Sequence, residues 1–297
     1  MAGGKPIGFI GLGNMGGRMT RRLVDAGHTV LGFDLEPARA QACGAQVAAS
    51  LAQLAHQTDI VLMSLPDSTV VEAVVEAEDG LLANARAGQV VVDLSTAAAS
   101  STRRLAQRFA ERGVSYVDAG ISGGAPAAEK GTLTLMVGGD AAVVEGLRGL
   151  FAAFSSKVIH MGASGAGHVT KLLNNFLNAV SLSATAEVMV AGKKAGLDLH
   201  QLLDVLNNSS GVNFATLNRF PHIVEGNYLE GGLTGRLMTK DVVLYVDLVR
   251  DLGIASLNAA GPLASFGLGN ALGYGDVISN RVVDAIGDVS GGVRLKS

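Results

Sequence analysis

The sequence has little of what disulfide-bonded or aromatic cores depend on. Its 297 residues contain one cysteine, Cys43, and no tryptophan, and aromatic residues make up only 4%. One cysteine cannot form a disulfide within the chain, which is typical of a reducing compartment. We therefore interpret Cys43 as a small core residue and expect the packing to depend on Ala, Val, Leu and Gly.

Charge and long apolar runs are also scarce. Charged residues make up 16% and the net charge is −3, so nothing indicates a basic surface for nucleic acid. No segment reaches the roughly 20 uninterrupted apolar residues of a membrane span, and the apolar run at 6–10 is too short for a secretion signal. The six histidines include no pair at metal-ligand spacing. We expect a cytoplasmic chain without nucleic-acid, membrane or metal partners.

What the sequence does contain is a glycine-rich turn between two short apolar runs. The motif Gly11-Leu12-Gly13-Asn14-Met15-Gly16 follows the run at 6–10, and a helical pattern leads to a second run that ends at Asp34. This order predicts a βαβ unit that binds the pyrophosphate of a dinucleotide at the start of the helix. Asp34 would accept hydrogen bonds from ribose hydroxyls and favours NAD over NADP, although Arg39 lies close enough to weaken that preference.

Further apolar runs alternate with helical patterns. They predict strands over 59–64, 89–93, 115–118, 133–137 and 157–160. Strands that are apolar throughout indicate a Rossmann-type, doubly wound parallel sheet covered by helices on both faces. Because ligands bind beyond the carboxyl ends of such strands, Leu65, Pro66, Ser95 and Thr96 should lie beside the cofactor. Ser95 and Thr96 can also cap the next helix, and the two interpretations are compatible.

A glycine-dense segment, predicted to be a loop over 119–126, follows the strand at 115–118. It carries Ser122, Gly123 and Gly124. Exposed N–H groups beside a hydroxyl can hold a carboxylate. The alternative interpretation is a tight loop with a structural role only.

The longest helical pattern runs from Gly165 to Gly196, without an internal proline and with a glycine suited to end it. Lys171 and Asn175 lie four residues apart on one face near its start. A lysine in a partly apolar cleft can exchange a proton with a substrate oxygen, whereas the alternative is a lysine that extends to solvent. Apolar residues around the helix predict burial on nearly all sides: Val169, Leu172, Leu173, Phe176, Leu177, Val180, Leu182, Val188, Met189 and Val190.

After this helix the strand patterns disappear. Helical patterns cover 198–208, 235–252, 257–272 and 276–288. We therefore predict a dinucleotide-binding domain over 1–162 and an all-α domain over 163–297. In the second domain, Lys240-Asp241 has the pattern of a charged surface pair. Arg219 is a candidate anion contact whose alternative interpretation, a solvated side chain, the sequence favours.

Four motifs, in this order, resemble the β-hydroxyacid dehydrogenase family, which includes 3-hydroxyisobutyrate dehydrogenase and tartronate semialdehyde reductase. The resemblance spans essentially the whole chain. Its motifs are Phe9–Gly16, Asp118–Gly124 with a continuation through Leu133, Gly165–Asn175, and Lys240-Asp241.

This resemblance implies a role for each candidate site residue. Lys171 would be the general acid/base, and Asn175 would hold substrate together with Ser122-Gly123-Gly124. The cofactor contacts would include Leu65, Pro66, Thr96 and Lys240. The implied enzyme transfers a hydride between NAD and the hydroxyl-bearing carbon of a small 3-hydroxy acid, and family members are usually homodimers or homotetramers formed through the helical domain.

Two other functions stay open at this point. One is a semialdehyde reductase that prefers NADPH, acting on tartronate semialdehyde or a related compound. The other is a non-catalytic dinucleotide-binding module, which the presence of Lys171 disfavours. The family often has an aromatic residue where this chain has Leu233, so the resemblance leaves the identity of the acid open.

Overall fold

The computed structural model describes residues 5–296. The chain divides into two compact units, of which the first ends at Lys171 and the second begins at Leu172.

The first unit is built on a mainly parallel sheet. Its strands are β1 (Ile7–Ile10), β2 (Val30–Phe33), β3 (Gln46–Val47), β4 (Ile60–Met63), β5 (Val90–Asp93), β6 (Ser115–Ser122), β7 (Leu133–Gly138) and β8 (Ser155–Gly162). Among the described residues these eight strands lie in the order β3-β2-β1-β4-β5-β6-β7-β8. Most are buried and apolar, because helices cover the sheet. The predicted Rossmann-type fold class is confirmed.

One strand pair departs from the predicted parallel pattern. β6 and β7 are antiparallel, with Ser122 opposite Thr134 and Asp118 opposite Gly138. The connection over 123–132 is shorter than the dozen or so residues that a parallel crossover needs. The chain therefore turns back on itself, and β7 then pairs in parallel with β8.

Eight helices of the first unit, within the described residues, pack against this sheet or join its strands. They are α1 (Gly16–Asp25), α2 (Ala38–Ala42), α3 (Leu51–Gln57), α4 (Ser68–Glu76), α5 (Leu81–Asn84), α6 (Ala99–Ala110), α7 (Gly124–Lys130) and α8 (Ala141–Phe151). Ser50, Asp67 and Asp140 cap α3, α4 and α8 through side-chain oxygens. Cys43 is buried in the core, as predicted.

The long helix is α9 (Ala166–Lys194), a continuous helix of 29 residues. Gly196 follows it with φ +78°, the left-handed conformation that ends many helices. The prediction of burial on nearly all sides is wrong for one stripe. Leu173, Leu177 and Val188 are exposed, with 65% of Leu177 accessible. In the described part of the chain no helix is long and apolar enough to cross a membrane.

The second unit is helical, as predicted. After α9 come α10 (Leu199–Asn207), α11 (Phe214–Asn218), α12 (Phe220–Ile223), α13 (Gly235–Asp251), α14 (Ala260–Ala271) and α15 (Val282–Val289), the last preceded by a 3₁₀ turn at Ser279–Arg281. Their apolar faces form one buried cluster that includes Phe220, Phe266 and Met238. The very short α11 and α12 escaped prediction because four or five residues show no helical periodicity.

A buried carboxylate fixes the start of α9. Asp118, in the middle of β6, is fully buried. One of its oxygens accepts a hydrogen bond from Gly165 N at 2.6 Å and the other from His168 N at 2.8 Å. These N–H groups belong to the first turn, where a helix has no backbone acceptors of its own. Gly167 allows the close approach, since a Cβ there would lie 2.4 Å from Met136 O.

Asp118→Ala should destabilise the protein much more than loss of an exposed cap. It leaves two buried N–H groups without an acceptor, so we expect the free energy of unfolding to fall by about 2–4 kcal/mol. Asp140→Ala is the matched control, because Asp140 accepts from two N–H groups of α8 at an exposed position and should cost about 1 kcal/mol. Urea denaturation measures both, and equal losses would contradict the assigned role of Asp118.

Candidate active site

The glycine turn lies between β1 and α1 and has the shape that a dinucleotide needs. A Cβ on Gly11 would lie 2.4 Å from Ser64 O, and one on Gly16 would lie 1.9 Å from Gly11 O. At Gly13, by contrast, the nearest atom is Arg39 Nη1 at 3.8 Å. Two glycines are therefore required by packing, while the third leaves open backbone for a pyrophosphate.

The start of α1 is also suited to phosphates. Its N-cap residue is Met15, and no side chain within residues 5–296 caps this end. Asn14 is exposed, and its carbonyl and side-chain oxygens accept from Arg18 Nη1 at 2.6 Å and 2.5 Å. The residues present therefore fit NAD or NADP, with helix N–H groups available to the anion.

Asp34 lies at the carboxyl end of β2 and is joined to the glycine turn. Its Oδ2 accepts from Leu12 N at 2.7 Å and its Oδ1 from Glu36 N at 3.0 Å. Only 9% of its side chain is exposed. Each carboxylate oxygen has more than one lone pair, so a ribose hydroxyl can still donate to it.

Arg39 is held by an acid that the sequence patterns did not single out. Its Nη2 and Nε donate to the two carboxylate oxygens of Glu36 at 2.6 Å and 3.2 Å, whereas Nη1 is 3.7 Å from Asp34 Oδ1. Arg39 lies in α2 with 44% of its side chain exposed, so it is a solvated helix residue that also pairs with Glu36. The spacing of three residues on a helical turn is the signal that could have revealed the Glu36 pair.

β4 lies next to β1 in the sheet and β5 next to β4, all in parallel, as the predicted cofactor contacts at their carboxyl ends require. Leu65 N donates to Ser95 Oγ at 3.0 Å, which joins the segments after β4 and β5. Ser95 does not cap α6, since the N-cap residue of that helix is Ala98; its hydroxyl is instead used by Leu65. Pro66 is exposed and Thr96 is partly buried, so both can reach a ligand beyond the strands.

The predicted loop at 119–126 is only partly a loop. β6 continues through Ser122, because residues 118–122 pair with β7, and α7 already begins at Gly124. The irregular backbone is concentrated at Gly123 (φ +119°) and Gly124 (φ +66°). Both glycines are exposed and Ser122 is partly buried, so a hydroxyl and backbone N–H groups are accessible at the end of β6.

Lys171 lies in α9 directly over β6. A Cβ on Gly120 would be 2.6 Å from Lys171 Cβ, so only glycine allows the helix to approach this closely. Lys171 is partly buried, so part of its side chain is shielded from water. The Gly120 contact and the Asp118 cap together fix the point from which its side chain extends.

A buried polar network lies under the same helix start. Tyr116 OH donates to Asp93 Oδ2 at 3.0 Å, and the ring of His168 lies between Thr102 Oγ1 at 2.7 Å and Asp93 O at 3.3 Å. Burial, and then the negative charge of Asp93, raises the pKa of Tyr116 well above its usual range, so the phenol stays protonated. Sequence patterns gave no sign of this network, because its members lie on four different elements.

In the second unit, Asn175 is fixed by an aspartate. Asn175 is buried, its Nδ2 donates to Asp241 Oδ2 at 2.5 Å, and its Oδ1 accepts from Asn174 Nδ2 at 3.2 Å. Lys240 Nζ is 3.2 Å from Asp241 Oδ1. The interpretation of Lys240-Asp241 as a surface pair is wrong, since only 2% of the Asp241 side chain is exposed.

Arg219 also differs from its predicted solvated state. It is partly buried at the junction of α11 and α12. Its Nη1 donates to Asn280 Oδ1 at 2.7 Å and its Nη2 to Asn178 Oδ1 at 3.0 Å. The three side chains join α9, the α11–α12 junction and the 3₁₀ turn.

Comparison with protein families covers both parts of the chain. Residues 6–162 match the family described as the NAD binding domain of 6-phosphogluconate dehydrogenase. Residues 165–275 match the family described as the NAD-binding of NADP-dependent 3-hydroxyisobutyrate dehydrogenase.

Individual relatives extend over nearly the whole chain. The chain is 36% identical to 2-(hydroxymethyl)glutarate dehydrogenase of Eubacterium barkeri over 91% of its own length and 90% of the relative's. It is 40% identical to the NAD-dependent L-serine dehydrogenase of Pseudomonas aeruginosa over 81% and 84% of the two chains. A solved structure of Mycobacterium tuberculosis 3-hydroxyisobutyrate dehydrogenase with L-serine superposes with a TM-score of 0.87 at 31% identity, covering 96% and 99%. The chain therefore belongs to the β-hydroxyacid dehydrogenase family and is an NAD(P)-dependent hydroxy acid oxidoreductase.

Proposed function

We propose that the enzyme transfers a hydride between NAD and a small 3-hydroxy acid of the type HOCH₂–CH(R)–COO⁻. The relatives are named for 2-(hydroxymethyl)glutarate, L-serine and 3-hydroxyisobutyrate. These three compounds share a primary alcohol next to the carbon that carries the carboxylate, and they differ only in the group R. The shared part is the substrate class that we assign to this chain.

The single observation that supports this proposal best is the placement of Lys171. Its Cβ packs against Gly120, two residues before Ser122 at the end of β6. We assign Lys171 as the general acid/base: it accepts the hydroxyl proton during oxidation and returns it to the carbonyl oxygen during reduction. When bound, NAD supplies the hydride acceptor. The non-catalytic alternative has no use for a lysine fixed in this way.

We assign the substrate carboxylate to the segment Ser122-Gly123-Gly124. Its hydroxyl and backbone N–H groups are hydrogen-bond donors suited to an anion. Asn175 shares a helix face with Lys171 and is held by Asp241, so its remaining amide N–H can bind a substrate oxygen. We assign Leu65, Pro66 and Thr96 to the cofactor, together with the glycine turn and Asp34, because they follow the carboxyl ends of β4 and β5. We assign Lys240 to the nicotinamide end of the cofactor.

One observation favours the NADPH-dependent semialdehyde reductase as the second candidate. Arg39 and Gly13 line a groove of about 540 Å³ together with three arginines of α1: Arg18, Arg21 and Arg22. Such a groove attracts phosphate. We nevertheless rank NAD first, because Asp34 and Glu36 place two carboxylates beside Arg39 and would repel a 2′-phosphate.

We also propose a cytoplasmic homodimer or homotetramer, and the division of the chain at 162 and 163 into a nucleotide domain and a substrate and oligomerisation domain. The support for the oligomer is the exposed apolar stripe of α9. Leu173, Leu177 and Val188 are exposed on one side of the helix, where a second subunit could cover them.

Lys171→Met should abolish turnover but not cofactor binding. Methionine keeps the length and packing against Gly120 but cannot transfer a proton, so we expect kcat to fall by about 100-fold or more. The dissociation constant of NADH, measured by fluorescence, should stay within about twofold of the wild-type value. Lys157→Met is the control, because Lys157 is exposed on β8. Near-normal kcat in Lys171→Met would refute the assigned role.

Glu36→Gln should improve the use of NADP. The substitution releases Arg39 and removes one negative charge, so we expect kcat/KM for NADP to rise roughly tenfold relative to NAD, the size of one charge-assisted hydrogen bond. Steady-state kinetics with both cofactors test this ratio. In the double variant Glu36→Gln with Arg39→Ala, the gain should disappear. A gain that persists without Arg39 would show that Glu36 acts by repulsion alone.

Leu177→Glu should shift the oligomer toward smaller species. A buried glutamate in a subunit interface is strongly unfavourable, so light scattering after size-exclusion chromatography should show a lower mass. Leu257→Glu is the matched control, because Leu257 is 85% exposed outside the α9 stripe. An unchanged mass for Leu177→Glu would exclude this stripe from the interface.

A further inference from the structure

His168 is a fully buried histidine whose ring contacts two different elements of the first unit. Nδ1 lies 2.7 Å from Thr102 Oγ1 in α6, and Nε2 lies 3.3 Å from the main-chain oxygen of Asp93 at the end of β5. A carbonyl oxygen only accepts hydrogen bonds, so the second contact requires a proton on Nε2, while Nδ1 can accept from the threonine hydroxyl. Both ring nitrogens therefore have partners inside the core.

Asp93 connects this histidine to a segment that we assign to the cofactor. Asp93 is fully buried, its Oδ1 accepts from Ser95 N at 3.0 Å and its Oδ2 accepts from Tyr116 OH at 3.0 Å. Leu65 N in turn donates to Ser95 Oγ at 3.0 Å. The residue whose carbonyl oxygen His168 contacts therefore also fixes the turn over 94–96, which follows β5.

The same turn of α9 leads to the acid/base. His168 precedes Lys171 by three residues, so the two side chains are neighbours on the helix surface. Asp118 lies opposite Asp93 in the neighbouring strand and accepts from His168 N at 2.8 Å. Two adjacent strands thus hold one residue, through its main chain and through its ring. The first contact fixes where α9 begins, and the second fixes its rotation about its own axis.

We propose that His168 is a positioning residue, whose Nε2 contact with Asp93 fixes Lys171 relative to the turn over 94–96. The inference depends on the proposed function, since it takes Lys171 as the acid/base. The chemical step is unchanged: the hydroxyl proton passes to Lys171 and the hydride leaves the hydroxyl-bearing carbon. A displacement of about 1 Å between reacting groups can lower a rate about 100-fold, so a contact behind the site is enough to control it.

Two substitutions separate the two contacts of the ring. The amide nitrogen of glutamine takes the position of Nε2 and can donate to Asp93 O, whereas that of asparagine takes the position of Nδ1 and reaches only Thr102. We expect kcat of His168→Gln to stay within about threefold of the wild-type value and that of His168→Asn to fall at least about tenfold. In both variants KM for the acid should change less than about threefold, because the Ser122 segment is untouched.

The rates are measured with whichever of L-serine and 3-hydroxyisobutyrate the wild-type enzyme oxidises faster. They are expressed per molecule that binds NADH, which removes the effect of an unfolded fraction. Thr58→Val is the matched control, because Thr58 is fully buried in the same unit and its hydroxyl donates to Leu54 O at 2.8 Å. This variant also loses a buried hydrogen bond, but outside the network, so its kcat per binding site should equal that of the wild type.

Equal kcat values per binding site for His168→Gln and His168→Asn would overturn the proposal. His168 would then be a core residue that only packs α6 against the sheet, and the proposed function would stand. Failure of the wild-type enzyme to oxidise either acid would refute the proposed function, and this inference with it.

An NMR measurement on the wild-type enzyme covers the case in which neither variant folds. His168 is fully buried, whereas the other histidines are partly buried or exposed. Its Nε2–H should therefore be the ring proton that exchanges most slowly with water. Its nitrogen chemical shift should change when NADH saturates the enzyme, because the carbonyl oxygen that it contacts adjoins the turn over 94–96. A shift that NADH leaves unchanged would contradict the proposed link.

Discussion

The two hydrogen bonds that Asp118 accepts from the start of α9 are the constraint on which the candidate site depends. They join the middle of the sheet to the first turn of the longest helix. Gly120, Gly138 and Gly167 have no room for a Cβ around this junction. Backbone therefore packs on backbone, and the position of Lys171 is set by contacts that allow little adjustment.

Local patterns were enough to predict most of the fold. The glycine turn, the apolar strands and the uninterrupted α9 each have a period or a signature that one segment shows by itself. Short elements such as β3, α2 and α5 have no period to detect. The reversal of β7 depends on the length of its connection and on its partners, which a strand pattern does not contain.

The candidate site was predictable as a set of residues, but the partners that fix them were not. Lys171 and Asn175 follow from helical spacing. Asp241 looked like a surface charge because its partner, Asn175, is 66 residues away. Arg219 looked solvated because Asn178 and Asn280 are 41 and 61 residues away. Glu36 is the exception, since its pairing with Arg39 is local. Whether a charge is buried depends on tertiary contacts that composition and spacing do not reveal.

The placement of Arg219 between two very short helices has a consequence for how this segment is held in the second unit. α11 and α12 have five and four residues and are fixed mainly by the Asn213 capping box and by the burial of Phe220. Arg219 joins their junction to α9 and to the 3₁₀ turn through Asn178 and Asn280. Helices of five and four residues are too short to be stable alone, so the position of this segment depends on side-chain contacts with longer elements.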